Sequence, residues 1–167
     1  MGAVPPTRFV TDNSLDFVAR RLRLLGYDVL GLQSGRLEDV FASAQSSGRT
    51  VLTLSERRPA RFAAVSALTL IRGDAAQGVR RIAGEHEASG PPFGRCPMCN
   101  TPLQRRLALE ARGEVPPRVL RGAESLSFCP TCARWYWEGS HLARLREWLE
   151  AALGHALAEG AGPAADP

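Results

Sequence analysis

In RFVTDNSLDFVARRLRLLGYDVLGL, residues 8–32, the spacing of apolar residues changes twice. Arg8 to Thr11 reads as a short buried strand that ends at Asp12. Ser14 then stands where a helix N-cap belongs. Leu15, Val18, Ala19, Leu22 and Leu25 follow at helical spacing, and Gly26 stops the helix. Val29 to Leu32 is a second strand. A strand, a helix and a strand in this order make a crossover unit with two parallel strands, and chirality makes the crossover right-handed.

The same alternation continues downstream. Leu37 to Ser46 reads as a helix with Glu38 and Asp39 in its first turn, and Thr50 to Leu54 as a third strand. An arginine-rich segment broken by Pro59 leads to a fourth strand, Ala67 to Ile71. Asp74 caps a helix that runs to about Glu87. The pattern predicts an α/β fold, a mostly parallel sheet covered on both faces. Ser89 to Gly94 is a Pro/Gly linker. From His141 a last helix carries Leu142, Leu145, Leu149, Ala152 and Leu153 on one face.

All four cysteines of the chain fall in two matched pairs, Cys96-Pro97-Met98-Cys99 and Cys129-Pro130-Thr131-Cys132. Two C-x-x-C turns with no cysteine left over make a closed four-sulfur zinc site, the alternative being two redox or incidental pairs. The gap of about thirty residues between the pairs reads as a ribbon that carries a long loop. A closed site leaves no open position for substrate, so this zinc is expected to stabilise the fold and not to catalyse.

The 167 residues suffice for one ordinary domain and a small one, and a hydrophobic content of 44% supports a core. No run of eighteen apolar residues is present, so no membrane span is expected. The chain opens on neither a charged n-region nor an apolar stretch, so no secretory signal is expected, and thiolates held on zinc suit a reducing, cytoplasmic setting. Net charge is +4, and all 21 basic residues are arginine. Arginine grips phosphate through a bidentate fork, which fits a nucleic-acid partner; a coding sequence rich in G and C accounts for the same bias.

Open parallel sheets bind ligands at the carboxyl ends of their strands. Asp12 ends the first strand, Asp39 lies in the helix turn after the second, Glu56 follows the third strand and Asp74 ends the fourth. Converging carboxylates need cations, and hard oxygen donors without paired histidines point to magnesium or manganese. The competing role for Asp12, Asp39 and Asp74 is helix capping or charge complementation of a helix end. Arg20, on the first helix, and Arg57, Arg58 and Arg61, after the third strand, are candidates for nucleic-acid phosphate; the alternative is a solvated charged face.

Two further stretches carry a family resemblance. Residues 8–30, with Leu25-Gly26-Tyr27-Asp28, resemble the opening strand, acid and helix of the Mut-seven C-terminal ribonuclease family. GRTVLTLSERR, residues 48–58, is similar to its third-strand signature. The segment Arg95 to Asn100, Val115-Pro116-Pro117, Phe128 to Cys132, and Trp135-Tyr136-Trp137-Glu138-Gly139-Ser140-His141 resembles its zinc ribbon. The resemblance implies a PIN-like three-layer α/β/α sandwich over residues 7–88, with a mostly parallel sheet. It also implies a small zinc ribbon and terminal helix over residues 95–158; residues 1–6 and 159–167 are expected to be disordered. By the same resemblance the chain is a divalent-metal-dependent ribonuclease, with Asp12 and Asp39 matching the family's acids. Ser55 stands where the family shows a third acid, and Glu56 is one residue late. That departure keeps open a second reading, a catalytically reduced RNA-binding or ribosome-associated module.

Overall fold

The computed structural model describes residues 6–158; of the segments expected to be disordered, only Pro6 lies inside it. Strands β1 (Phe9–Asp12), β2 (Val29–Leu32), β3 (Thr50–Thr53) and β4 (Ala67–Thr69) form an all-parallel sheet in the order β2-β1-β3-β4. Alternation along β1 separates two cores. Phe9, Val29 and Leu52 pack with Leu22 of α1 (Asp16–Leu24) and with Val79 and Ile82 of α3 (Ala75–Glu85). Val10 and Val51 face the other way, toward Val40, Phe41 and Ala44 of α2 (Leu37–Ser47). Between β3 and β4 a 3-10 turn, Ala60–Phe62, stands in for a crossover helix, and Phe62 stacks on Phe41 at 6.0 Å between ring centres.

Element types agree with the sequence pattern, and ends differ by a few residues. The first cap is one correction. Ser14 does not cap α1; its backbone N–H donates to Asp12 Oδ1 at 2.8 Å, so Asp12 caps a 3-10 turn, Asn13–Leu15, that precedes the helix. β4 stops at Thr69, before Ile71, which is exposed.

The C-terminal segment begins with an antiparallel sheet of β5 (Gln104–Leu107), β6 (Ser125–Cys129) and β7 (Arg134–Tyr136). The long gap between the cysteine pairs folds as a 3-10 turn, Ala108–Ala111, and the short helix α4 (Pro117–Gly122). Its apolar residues make a small core of Ala108, Ala111, Val115 and Leu126, flanked by Trp135 and Trp137. α5 (Ser140–Leu153) then returns to the parallel sheet's helical layer. Leu149 is fully buried beside Val79 and Ile82, and Arg80 Nε donates to the Ala152 carbonyl at 2.7 Å.

Polar contacts fasten the first cysteine knuckle to the sheet. Asn100, in the left-handed region at φ 71°, accepts the backbone N–H of Val29 at 3.0 Å and donates its amide to Asp28 Oδ1 at 2.7 Å. This satisfies an N–H at the start of β2, an edge strand. Asp28 also pairs with Arg49 at 2.6 and 3.2 Å. Arg23 is 2% exposed and donates to the carbonyls of Val29 (2.9 Å), Pro97 (2.8 Å) and Met98 (3.2 Å). Gly31 leaves it room: a Cβ there would lie 2.8 Å from Arg23 Nη2. The linker is held too, by Ser89 N–H to the Gly26 carbonyl and Phe93 N–H to the Leu24 carbonyl. Gly26, at φ 93°, has no alternative, because a Cβ would sit 2.1 Å from the Gly90 oxygen.

Two outcomes follow from this junction. Asn100→Gly keeps the backbone relaxed but strands Asp28 and the Val29 N–H; it should cost about 1–3 kcal/mol in urea denaturation, with zinc content unchanged. Burial opposes ionisation of Asp28, but hydrogen bonds from Arg49 and Asn100 and the Arg49 charge outweigh it and hold the carboxyl below its usual range. A carboxyl lowered by folding adds stability that is present above its unfolded pKa of about 4 and is lost as pH falls through the folded value. Asp28→Asn should therefore flatten the acid limb of a stability-against-pH curve and lower stability at pH 7.

Candidate metal centre and the cavity at the sheet edge

Each cysteine pair sits on a tight turn beside the antiparallel sheet. The first is closed by a bridge between Arg95 and Pro102, and the second joins β6 to β7. The four sulfurs lie within 4.8 Å of one another, with Cys96–Cys132 at 4.0 Å and Cys99–Cys129 at 3.4 Å. Zinc–sulfur bonds of about 2.3 Å in a tetrahedron place sulfurs about 3.8 Å apart, whereas a disulfide needs about 2.05 Å. The spacing therefore fits one ion and no disulfide. Surrounding groups address the sulfurs: the Cys132 N–H donates to Cys129 Sγ at 3.3 Å, Tyr136 Oη lies 3.1 Å from Cys96 Sγ, and Thr101 Oγ1 lies 3.2 Å from Cys99 Sγ.

Thiol acidities differ sharply inside this cluster. Burial raises the Cys99 thiol, but hydrogen bonds with Thr101, Cys132 and Cys129 prevail and bring it down to about 6. Cys132 is pushed up to about 12 by its hydrogen bond to Cys99, by burial and by the Cys96 charge. Burial raises Cys129. Thiolates this close oppose one another's ionisation, and a dication among them would relieve that repulsion.

At the sheet edge, a cavity of about 280 Å³ opens over the carboxyl ends of β1 and β2, lined chiefly by Asp12, Asn13, Asp16, Arg20, Gln33 and Met98. Asp12 is half-buried, with Oδ1 held by Ser14. Asp16 Oδ2 accepts Arg20 Nε at 2.7 Å, so Arg20 faces the cavity as one half of an ion pair. Met98, from the first knuckle, forms part of the wall, so the ribbon contributes to the cavity over the sheet.

The other acids are elsewhere. Asp39 is hydrogen-bonded to Ser34 Oγ, Asp74 accepts the Gln77 N–H at 3.0 Å as the cap of α3, and Glu56 is exposed; none of the three lines the cavity. Among the described residues, the four cysteines are the only group of three or more His, Cys, Asp or Glu side chains close enough to hold one ion. The structure thus does not gather the expected four acids: helix capping and local hydroxyls have taken up Asp74 and Asp39. Of the arginines, Arg57 is exposed, Arg58 donates to the Ala63 carbonyl at 3.2 Å, and Arg61 pairs with Glu38 at 2.7 Å. Trp135 and Tyr136 serve packing, Trp135 against Phe128 at 4.7 Å and Tyr136 against the sulfurs. Asp16, which reads in the sequence as a surface residue one turn after Asp12, is placed by the structure in the cavity lining. Its position four after Asp12, one helical turn on, was the available signal.

Residues 7–149 match the family model of the Mut7-C RNAse domain. No curated protein and no solved structure matches the chain.

The sulfur geometry predicts about one zinc per chain by metal analysis of protein purified without chelators. Cys96→Ser should lose the metal. It should also loosen the knuckle that carries Met98 and Asn100, read as a lowered melting temperature and altered Trp135 fluorescence. Full metal-free stability would contradict a structural ion.

Proposed function

This chain belongs to the Mut7-C RNAse domain family, and we propose that it hydrolyses RNA phosphodiester bonds with a divalent cation at the carboxyl end of β1. The observation that carries this reading is Asp12, on a central strand of the parallel sheet, lining a cavity with a second carboxylate and a guanidinium.

Magnesium and manganese take oxygen donors, and magnesium needs only one or two carboxylates because it keeps several waters. Asp12 Oδ2 and Asp16 Oδ1 have no hydrogen bond within the described residues, and the Asn13 and Gln33 side chains add amide oxygens to the same lining. That donor set fits one hydrated ion. When bound, the ion supplies Lewis-acid stabilisation of charge on the phosphate. The chain's own residues do the rest. Arg20, oriented by Asp16, presents a cation to a phosphate oxygen. Attack by water requires a proton acceptor, and the cavity's carboxylates are the candidates. Zinc in the ribbon stays structural, because four sulfurs close its coordination. Thiolate ligation suits a reducing compartment such as the cytoplasm.

One observation favours a second reading. Position 55 holds serine, whose hydroxyl accepts the Arg57 N–H at 3.1 Å and builds a turn where the resemblance expects an acid. On that reading the chain binds RNA, alone or on a ribosome, with little or no turnover.

A single assay separates them. Zinc-loaded protein is incubated with single-stranded and hairpin RNAs, with and without manganese. The enzyme reading expects manganese-dependent cutting that falls at least about a hundredfold in Asp12→Asn and about tenfold or more in Asp16→Asn, with melting temperatures unchanged. An Asp39→Asn variant run alongside shows whether the second helix contributes. Tight RNA binding without cutting in any metal would establish the second reading.

A further inference from the structure

A second and larger cavity, about 950 Å³, lies along the outer edge of the ribbon. One wall is β5, an edge strand whose outer side has no strand partner among the described residues. The facing wall includes Ser89, Gly90, Pro91 and Gly94 of the linker. That wall is fixed, because the linker is hydrogen-bonded to Leu24 and Gly26 at the end of α1. The groove is therefore built into the junction of the two parts of the chain.

Its charge is one-sided. Arg95, Arg105 and Arg106 line it, against the single acid Glu110, whose carboxylate already accepts the Leu107 N–H at 3.1 Å. None of the three arginines takes part in an ion pair among the described residues. Their contacts are to neutral acceptors: the Asn100 carbonyl at 2.9 Å, Ser125 Oγ at 2.6 Å and Gln104 Oε1 at 3.0 Å. Each guanidinium carries five N–H donors, so most remain free for an incoming anion. Arg106 also lies 4.2 Å over the Phe128 ring, which packs on Trp135. Guanidinium groups on an extended strand that lines the groove suit the backbone of a single-stranded polyanion.

The first knuckle stands between the two cavities. Met98 lines the one over Asp12, and Thr101 and Pro102, two and three residues past Cys99, line the groove. We propose that the groove between β5 and the linker binds single-stranded RNA, with Arg105 and Arg106 on its phosphates, and leads it past the knuckle toward Asp12. This inference rests on the reading that RNA is the substrate, and it assigns the ribbon a role in holding that RNA.

Fluorescence anisotropy with a labelled single-stranded RNA of about twenty nucleotides, without manganese, tests it. Charge reversal at both positions, Arg105→Glu with Arg106→Glu, should weaken binding at least tenfold. It should also reduce the slope of log affinity against log salt by about one to two, as expected for two lost phosphate contacts. The milder pair Arg105→Ala with Arg106→Ala should show the same direction. A matched reversal on the exposed face of α4, Arg118→Glu with Arg121→Glu, should bind as the wild type does. Equal losses in the two reversals would mean non-specific attraction and overturn the proposal. So would unchanged affinity in the groove variant, or no RNA binding by the wild-type chain. Wild-type self-association abolished by Leu107→Glu, with RNA affinity unaffected by the arginine changes, would assign the edge to a second copy instead. The outcomes are separable from the catalytic reading: a groove-dependent binder that never cuts defeats only the enzyme, and cutting indifferent to Arg105 and Arg106 defeats only the groove.

Discussion

The hydrogen bonds that Asn100 makes to Asp28 and to the Val29 N–H, with the Arg23 bonds to Pro97 and Met98, join a small four-cysteine module to a conventional α/β sheet. A three-stranded ribbon of this size has little apolar interior, and four cysteines close enough to share one ion are the usual remedy. The parallel sheet lacks cover at the start of β2. Each part supplies what the other needs. The knuckle satisfies an edge strand, and the sheet's buried Arg23 gives two knuckle carbonyls donors that water cannot reach. Because Met98 is on that knuckle, the same junction fixes a wall of the cavity above Asp12.

The return of α5 makes the arrangement continuous. Leu149 is buried in one core with Val79 and Ile82 of α3, so α5 packs against the parallel-sheet part of the chain after the ribbon. Loosening of the four-cysteine cluster would then be felt on both sides: through the knuckle at β2 and through the helix that follows β7. This coupling is the physical reason to regard the ribbon and the parallel sheet as one packed body, although the ribbon's own sheet shares no strand with the parallel one.

Much of this was legible in residues 8–32, where period-2 and period-3.6 apolar spacing alternate, and in the four cysteines, whose pairing leaves no residue unexplained. Spacing cannot show where a side chain spends its hydrogen bonds. Asp12, Asp39 and Asp74 look alike in sequence, each at a strand end or a helix start. In the structure Asp74 caps α3, Asp39 is turned to Ser34, and only Asp12 opens into the cavity. Asp16 looked like a surface residue because it sits on the polar side of an amphipathic helix; that side happens to face the carboxyl ends of β1 and β2. The tie between knuckle and sheet was equally hidden, since Asn100 and Asp28 are 72 residues apart and neither carries a motif that announces the other.

Strand order explains why the functional edge is asymmetric. With β1 flanked by β2 and β3, the crossovers through α1 and α2 lie on opposite faces, which puts the usual ligand crevice of a parallel sheet between β1 and β3, whereas the cavity of this chain lies over β1 and β2. On the β3 side that crevice holds Ser55, engaged with the Arg57 N–H. The cavity on the β2 side of β1 is lined instead by Asp12, Asp16, Arg20 and the ribbon's Met98. Carboxylates near one another repel unless a cation lies between them, and the Asp16–Arg20 pair already neutralises part of that charge. A site with two carboxylates and a built-in guanidinium therefore asks less of a metal than a three-acid site does. On the proposed reading, the balance between a hydrated ion and Arg20 at the phosphate would decide whether this edge cuts RNA or only holds it.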